Sequence, residues 1–126
     1  MEEAKIKMLI IEDDKAVQTV IKMVFEKAGY QVFSAFDAMQ GMMMAKQLKP
    51  NIIVLDIMLP AGGGFAVYER VRMLTESAPV PILIYSAMDR LLILEKIKER
   101  PTVRILSKGA TTIEQLVETA ARLIAA

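Results

Sequence analysis

Short apolar runs alternate with amphipathic segments along the whole chain. Five runs of strand length contain mostly consecutive apolar residues, which is typical of strands buried on both faces of a parallel sheet. The predicted strands are residues 7–12, 30–36, 52–56, 81–85 and 103–107. The predicted helices lie between Asp14 and Gly29 and over residues 38–49, 65–77, 91–100 and 112–125. This alternation predicts a single doubly wound α/β domain over residues 1–126, built on a five-stranded parallel sheet.

Capping and breaking residues set the ends of the predicted helices. Asp14 is interpreted as the N-cap of the first helix rather than as a metal ligand, and Gly29 ends that helix. Asp37 is the predicted N-cap of the second helix, and Pro50 stops it. The glycines at 62–64 match no phosphate-binding fingerprint, so we expect a flexible loop there.

The predicted fourth helix carries more apolar residues than one buried face needs. We expect Leu91, Leu94 and Ile97 to face the sheet. Leu92 and Ile93 then lie near or on the outside, where two adjacent apolar residues indicate a contact surface. Ordinary packing of the helix remains an alternative.

Composition excludes several kinds of chemistry. The 126 residues include no cysteine and no histidine, so disulfides, thiolate metal sites and imidazole catalysis are impossible. The formal net charge is +1, which gives no general attraction to nucleic acid or anionic membranes. We find neither a membrane-spanning apolar run nor a signal peptide, so we expect a cytoplasmic protein.

Polar residues follow the ends of the predicted strands. Glu12 and Asp13 end the first strand, Asp56 the third, Ser86 the fourth and Lys108 the fifth. Because ligands bind at the carboxyl ends of such strands, these residues are the candidate site. Crowded carboxylates need a cation or must take up protons, and hard oxygen ligands suit Mg²⁺. Each residue taken alone has another interpretation. Glu12 and Asp13 would be a solvated strand end, Asp56 a helix cap, Ser86 a turn residue and Lys108 a surface lysine. Their position on one shared edge favours a site.

The motifs that carry these residues resemble the receiver domain of two-component response regulators. They are Leu-Ile-Ile-Glu12-Asp13, Ile-Ile-Val-Leu-Asp56-Ile-Met-Leu-Pro60, Ile-Tyr-Ser86-Ala87 and Ser107-Lys108. The resemblance covers essentially the whole chain in order and without gaps. It implies a flavodoxin-like (βα)5 fold with strand order 2-1-3-4-5.

The resemblance also implies a phosphoryl acceptor and a metal site. Asp56 matches the carboxylate that attacks a phosphoryl group, which would form an acyl phosphate with Mg²⁺ present. Asp13 and Glu12 would bind the Mg²⁺ together with Asp56 and the carbonyl of Met58. The chain would speed its own phosphorylation and dephosphorylation without turning over a separate metabolite, so it is not expected to be an enzyme in the ordinary sense.

Further positions match phosphoryl-binding and switch residues of the family. Lys108 and the Ser86 hydroxyl would hold phosphoryl oxygens, assisted by the backbone of Met58 and Ala87. Ser86 and Ile105 occupy the positions that change conformation on phosphorylation.

Partners follow from the same resemblance. A sensor histidine kinase, a phosphotransfer protein or a small phosphodonor would supply the phosphoryl group. A homodimer or a target protein would contact the face formed by the fourth helix, fifth strand and fifth helix. The final helix reaches the end of the chain without a linker, which favours a stand-alone regulator, although a fragment of a longer protein fits equally well.

Two residues depart from the family pattern. Gly109 follows Lys108 where proline is usual, so we predict a trans peptide bond there. Ile105 replaces the usual Tyr or Phe, so we predict a muted switch or one rerouted through Tyr85.

Two other functions compete with a phosphorylated receiver. A receiver-like docking module that does not use phosphate would explain Ile105 and Gly109, but not the retained acidic residues. A phosphohydrolase of the haloacid-dehalogenase type would need a second aspartate two residues after the nucleophile, where Met58 stands.

Overall fold

The computed structural model describes residues 5–74 and 79–126, without the side chain of Leu74. Within these residues the chain alternates strands and helices as the apolar pattern predicts. The strands are β1 (Lys7–Ile11), β2 (Gln31–Ala35), β3 (Ile52–Leu55), β4 (Ile82–Ser86) and β5 (Val103–Ser107). The helices are α1 (Lys15–Lys27), α2 (Ala38–Leu48), α3 (Gly63–Leu74), α4 (Arg90–Leu94) and α5 (Ile113–Ala125).

The strands form one parallel sheet in the order β2-β1-β3-β4-β5, which confirms the predicted fold. The register aligns Ile11 with both Ala35 and Leu55, and Ser86 with Ser107. The carboxyl ends of the strands therefore meet at one edge of the sheet. The polar residues that follow them are brought together by this alignment.

Two apolar clusters cover the two faces of the sheet. One packs α1 and α5 side chains, including Phe25 and Leu116, against alternate strand residues such as Ile10. The other packs α2, α3 and α4 against the intervening strand residues, including Ile11 and Ile105. Because both faces are covered, strand residues of either parity are buried, which explains the continuous apolar runs.

The glycine-rich segment is more ordered than the sequence suggests. Pro60–Gly62 forms a 3-10 turn, and α3 begins at Gly63 instead of after the glycines. A Cβ at Gly64 would lie 2.2 Å from the Ile57 carbonyl oxygen, so only glycine fits this close approach. Our prediction of a flexible loop at 62–64 was wrong, because α3 packs directly on the backbone that leaves β3. Residues 75–77 of the predicted third helix lie outside the described residues.

The fourth helix differs most from prediction. It ends at Leu94, and Ile93 rather than Leu91 is buried, so the exposed apolar neighbours are Leu91 and Leu92. The chain then turns toward β5, where Arg100 and Val103 exchange backbone hydrogen bonds of 3.0 and 2.9 Å. Since Pro101 disfavours a helical conformation at Arg100, the helix cannot run to residue 100 without losing this turn.

Helix length and hydropathy also bear on membranes. Over residues 5–74 and 79–126, no helix is both long and apolar enough to cross a bilayer.

Candidate acidic site at the carboxyl edge of the sheet

Three carboxylates converge where β1 and β3 end. Glu12, Asp13 and Asp56 each place one oxygen within 4.8 Å of the others. Glu12 is 2% exposed and Asp56 6% exposed, whereas Asp13 is open to solvent. Carboxylates crowded in this way need a cation or must take up protons, and their oxygens are the donors that a hard divalent ion prefers.

The strand backbones hold these residues in place. The Asp56 amide donates to the Ile11 carbonyl at 3.0 Å, and the Glu12 amide donates to the Ala35 carbonyl at 3.0 Å. The sheet pairing thus continues one residue beyond β1 and β3. Consequently the two carboxylates start from neighbouring backbone positions that the sheet has already fixed.

Lys108 reaches the cluster from the end of β5. Its ammonium hydrogen-bonds a Glu12 carboxylate oxygen and lies 3.0 Å from Asp56 Oδ2. The Lys108 amide donates to the Ser86 carbonyl at 2.9 Å, which anchors the start of the β5–α5 loop. None of the described residues has a cis peptide bond, so the predicted trans bond from Lys108 to Gly109 is confirmed. The lysine therefore reaches the acidic pair without the proline usual in the family.

The other Asp56 oxygen is held by two donors. The Ser86 hydroxyl donates to Asp56 Oδ1 at 2.8 Å, and the Met58 amide donates to the same oxygen at 2.9 Å. Ser86 Oγ in turn accepts from the Met88 amide at 3.2 Å. Ala87, which stands between Ser86 and Met88 in the sequence, is exposed. Asp56 is therefore oriented by groups from the β3–α3 turn, β4 and β5.

Burial and hydrogen bonding pull the pKa values of the cluster in opposite directions. Burial raises the pKa of Glu12 above its ordinary value, against the hydrogen bond from Lys108. Burial acts in the same direction on Asp56, but hydrogen bonds from Met58, Ser86 and Lys108 outweigh it and lower its pKa. Burial alone would lower the pKa of Lys108, yet its bonds to Glu12 and Asp56 raise it. Of the two buried carboxylates, Asp56 is thus the one whose pKa lies below its ordinary value.

Three other predicted residues, Asp14, Ile105 and Tyr85, make no side-chain hydrogen bond to the carboxylates. Asp14 does contact the cluster through its backbone, because its amide donates to Glu12 Oε2 at 3.1 Å. The Asp14 side chain accepts hydrogen bonds from the amides of Ala16 and Val17 at 2.8 and 3.1 Å, which confirms the N-cap prediction. Ile105 is buried on the α4 side of the sheet, and its amide donates to Glu99 at 3.0 Å. Tyr85 packs on the opposite face, with its ring 6.0 Å from the Lys108 ammonium.

Sequence reasoning missed Gln18 and Glu99, which both bind backbone groups near these residues. Gln18 could have been noticed, because it shares the i, i+3, i+7 stripe of buried residues with Ile21 and Phe25. Glu99 lies in a charged segment that carries no comparable signal.

The fold agrees with what comparisons with known proteins show. Residues 8–121 match the family model described as the response regulator receiver domain. The chain therefore belongs to the response regulator receiver domain family. It is a receiver domain of the kind found in two-component signalling, a family whose members are generally not classical enzymes.

Individual relatives support the same assignment. The DNA-binding dual master transcriptional regulator RpaA of Synechocystis sp. is 39% identical over 85 residues, which cover 68% of this chain and 35% of that protein. The sporulation initiation phosphotransferase F of Bacillus subtilis is 27% identical over 93 residues, covering 74% of this chain and 73% of that protein. The chain spans about a third of the length of the transcriptional regulators it matches.

One solved structure shows a receiver domain with a metal in its active site cleft. The receiver domain of a sensor histidine kinase from Pseudomonas aeruginosa PAO1 superposes with a TM-score of 0.82 at 25% identity, covering 98% of this chain and 100% of that chain. That structure has a magnesium ion coordinated in its active site cleft.

Proposed function

We propose that this receiver domain accepts a phosphoryl group on Asp56 in a Mg²⁺-dependent reaction and then signals to a partner protein. The observation that carries the proposal is the convergence of Glu12, Asp13 and Asp56, with the Lys108 ammonium bonded to Glu12 and Asp56. An Asp56 oxygen forms a bond to phosphorus, while the bond from phosphorus to a histidine nitrogen or to the oxygen of a small donor breaks. The leaving group carries away the bonding electrons: a histidine nitrogen then takes up a proton, whereas acetate from acetyl phosphate leaves as the anion.

The chain's own residues contribute mainly position and charge. The Met58 amide and the Ser86 hydroxyl, which orient Asp56, are placed to donate to oxygens of a phosphoryl group attached there. The Lys108 ammonium, 3.0 Å from Asp56 Oδ2, offsets the negative charge that the phosphoryl group brings. The amide of Ala87 is proposed as a further backbone donor.

The donor set also fits a divalent ion. Glu12, Asp13 and Asp56, with the Met58 carbonyl, would hold Mg²⁺. Bound there, Mg²⁺ supplies positive charge that lets an anionic donor approach an anionic nucleophile. The magnesium ion in the cleft of the Pseudomonas receiver domain supports this assignment.

The donor is proposed to be a phosphohistidine on a sensor kinase or phosphotransfer protein. Receiver domains interact with proteins of these kinds, and a relative of this chain is named a phosphotransferase. We propose that residues 1–126 act as one receiver unit in the cytoplasm. The signal would leave through the face of α4, β5 and α5, where Leu91 and Leu92 are exposed for a target or a second copy.

Phosphorylation can be tested directly by mass. We expect that incubation with acetyl phosphate and Mg²⁺ adds one phosphoryl mass, and that this addition disappears with Asp56→Asn or with a chelator. Asp14→Asn is the matched control, because Asn also caps helices and the substitution keeps the backbone amide that bonds Glu12, while the Asp14 carboxylate is not part of the cluster. This variant should be phosphorylated like wild type.

The same experiment bears on the competing function. A folded wild-type protein that acquires no phosphoryl group from several donors would favour a docking module that works without phosphate. The observation that favours this alternative is that Ile105 is buried and its amide is bonded to the Glu99 carboxylate.

A further inference from the structure

Gln18 is a polar side chain in an apolar setting. It lies on the inward face of α1, is 2% exposed, and shares its stripe with Ile21 and Phe25. A glutamine in such a place loses its contacts with water and must find partners inside the protein. Its partners are therefore informative about its role.

The Gln18 amide nitrogen gathers three backbone carbonyls. Nε2 lies 3.0 Å from the Ile10 oxygen, 3.1 Å from the Glu12 oxygen and 2.8 Å from the Ala35 oxygen. The first two carbonyls belong to the end of β1 and the third to the end of β2. One side chain thus ties together the ends of two adjacent strands.

Both backbone groups of Glu12, its amide and its carbonyl, take part in these contacts. The Glu12 amide donates to the same Ala35 carbonyl that Gln18 binds, while the Glu12 carbonyl accepts directly from Gln18. The next residue is Asp13, so the peptide unit held by Gln18 joins two residues of the acidic cluster. The direction in which both carboxylates leave the backbone depends on the orientation of this unit.

Only the donor half of the Gln18 amide is used. Its Oε1 is buried and has no hydrogen-bond partner within the described part of the chain. An apolar side chain would fill the same space without that cost. The contacts that distinguish glutamine from an apolar residue here are therefore its N–H bonds to the strand ends.

We propose that Gln18 is a positioning residue for the acidic site, which holds the Glu12–Asp13 backbone in the conformation that binds Mg²⁺. This inference rests on the proposed Mg²⁺-dependent function. Without the Gln18 donors, the Glu12 carbonyl turns toward water, and the ligand oxygens of Glu12 and Asp13 lose their fixed separation. Groups that orient metal ligands in this way typically change metal affinity by about 10- to 100-fold when removed.

The test compares Gln18→Met with Ile21→Ala by calorimetric titration with Mg²⁺. Methionine keeps the length of the side chain but removes the donors, whereas Ile21 packs in the apolar cluster on this face of the sheet and has no side-chain donor for the strand-end carbonyls. We expect Gln18→Met to weaken Mg²⁺ binding by roughly tenfold, and Ile21→Ala to leave the affinity of the folded fraction near that of wild type. Gln18→Asn, which shortens the reach of the amide, gives the same direction if the methionine variant does not fold.

Amide hydrogen exchange without Mg²⁺ provides a second readout. In Gln18→Met, the amides of Glu12 and Asp14, which donate to the Ala35 carbonyl and to Glu12 Oε2, should exchange faster relative to global unfolding, whereas in Ile21→Ala they should not. Equal Mg²⁺ affinity in wild type and Gln18→Met would overturn the positioning role, as would equal weakening in Ile21→Ala. Failure of wild type itself to bind Mg²⁺ would instead overturn the proposed function.

Discussion

The acidic edge of the sheet and the α4–β5 segment each hold a glutamate against a basic side chain, but in different surroundings. At the acidic edge, the side chains of Glu12 and Lys108 are 3% and 20% exposed, and both belong to a network with Asp56. In the α4–β5 segment, the side chains of Arg90 and Glu99 are 47% and 25% exposed. Since water weakens exposed pairs and burial penalises unpaired charges, groups at the acidic edge depend on one another, while those near α4 act locally.

Ile105 lies between these two regions. It pairs with Ile84 across the sheet, two residues before Ser86, and its amide is held by Glu99. Tyr85, the alternative route we predicted, packs on the other face of the sheet beside Lys108. A signal passing through Tyr85 would therefore leave toward α5 rather than toward α4.

The largest effect is expected near the acidic edge, where the missing side chain of Gly64 lets α3 lie directly against the Ile57 backbone. In Gly64→Ala the new Cβ would meet the Ile57 backbone at 2.2 to 2.5 Å, and backbone cannot yield as a side chain can. We expect a loss of about 3 kcal/mol or more in the free energy of unfolding, measured by urea denaturation.

Gly109→Ala is the matched control, because none of the described residues lies within 4 Å of a Cβ at that position. It should change stability by no more than about 0.5 kcal/mol. Similar effects of the two substitutions would contradict the close packing at Gly64.

Removal of Lys108 should expose the mutual dependence of the carboxylates. Lys108→Met leaves the buried Glu12 and Asp56 without their cation, so we expect a loss of about 2 kcal/mol without divalent ions. Added Mg²⁺ should restore most of this stability, because it supplies the missing positive charge. Thermal melts with and without Mg²⁺ provide the measurement, and a variant as stable as wild type in chelator would refute the dependence.

Acid should weaken the same network by a smaller amount. The pKa of Asp56 is lowered on folding, so its contribution to stability is complete above the ordinary value of 3.8 and is lost as pH falls through the folded pKa. The effect is smaller than loss of Lys108, since Glu12, whose pKa is raised, is protonated before Asp56, so that acid leaves no buried carboxylate charge unpaired. Urea unfolding of wild type and Asp56→Asn, without divalent ions, should show their stability difference shrinking below 3.8. If the stability difference between the two proteins grew in acid, the pKa of Asp56 would be raised on folding rather than lowered.

The α4–β5 contacts should matter less. Glu99→Ala removes the acceptor of the Ile105 amide and the partner of Arg90, for an expected loss of about 1 kcal/mol. Mg²⁺ affinity should stay unchanged, because Glu99 does not belong to the acidic cluster. Denaturation and Mg²⁺ titration of one sample check both statements, and altered Mg²⁺ affinity would show that the two regions are coupled.

The smallest effect is expected at Ile105 itself when the site is filled. With beryllofluoride and Mg²⁺ in place of a phosphoryl group, amide chemical shifts should change most at Met58 and Met88, which contact Asp56 and Ser86. Shifts at Ile105 and in α4 should be small. Large shifts there would overturn the predicted muted switch.

Much of the architecture could be predicted because it depends on local pattern. Continuous apolar runs such as Ile52–Leu55 identify buried parallel strands, and the polar residue after each run marks the carboxyl edge. The convergence of Glu12, Asp13 and Asp56 follows, because parallel strands in adjacent register end together.

Other features could not be obtained this way. Three of them depend on contacts with distant parts of the chain. They are the rotation of α4 that buries Ile93 instead of Leu91, the end of α4 at Leu94, and the ordered backbone at Gly64. Gln18 and Glu99 act on backbone groups whose positions are known only once the strands are paired.

The amino-acid sequence by itself thus determined the alternation of elements, the sheet and the identity of the acidic edge, since spacing and burial periodicity are properties of the chain. Only the tertiary structure decided which side chains hold that edge in place and where α4 stops. The physical reason is that a hydrogen bond to a distant carbonyl or amide requires a distance that no local pattern encodes.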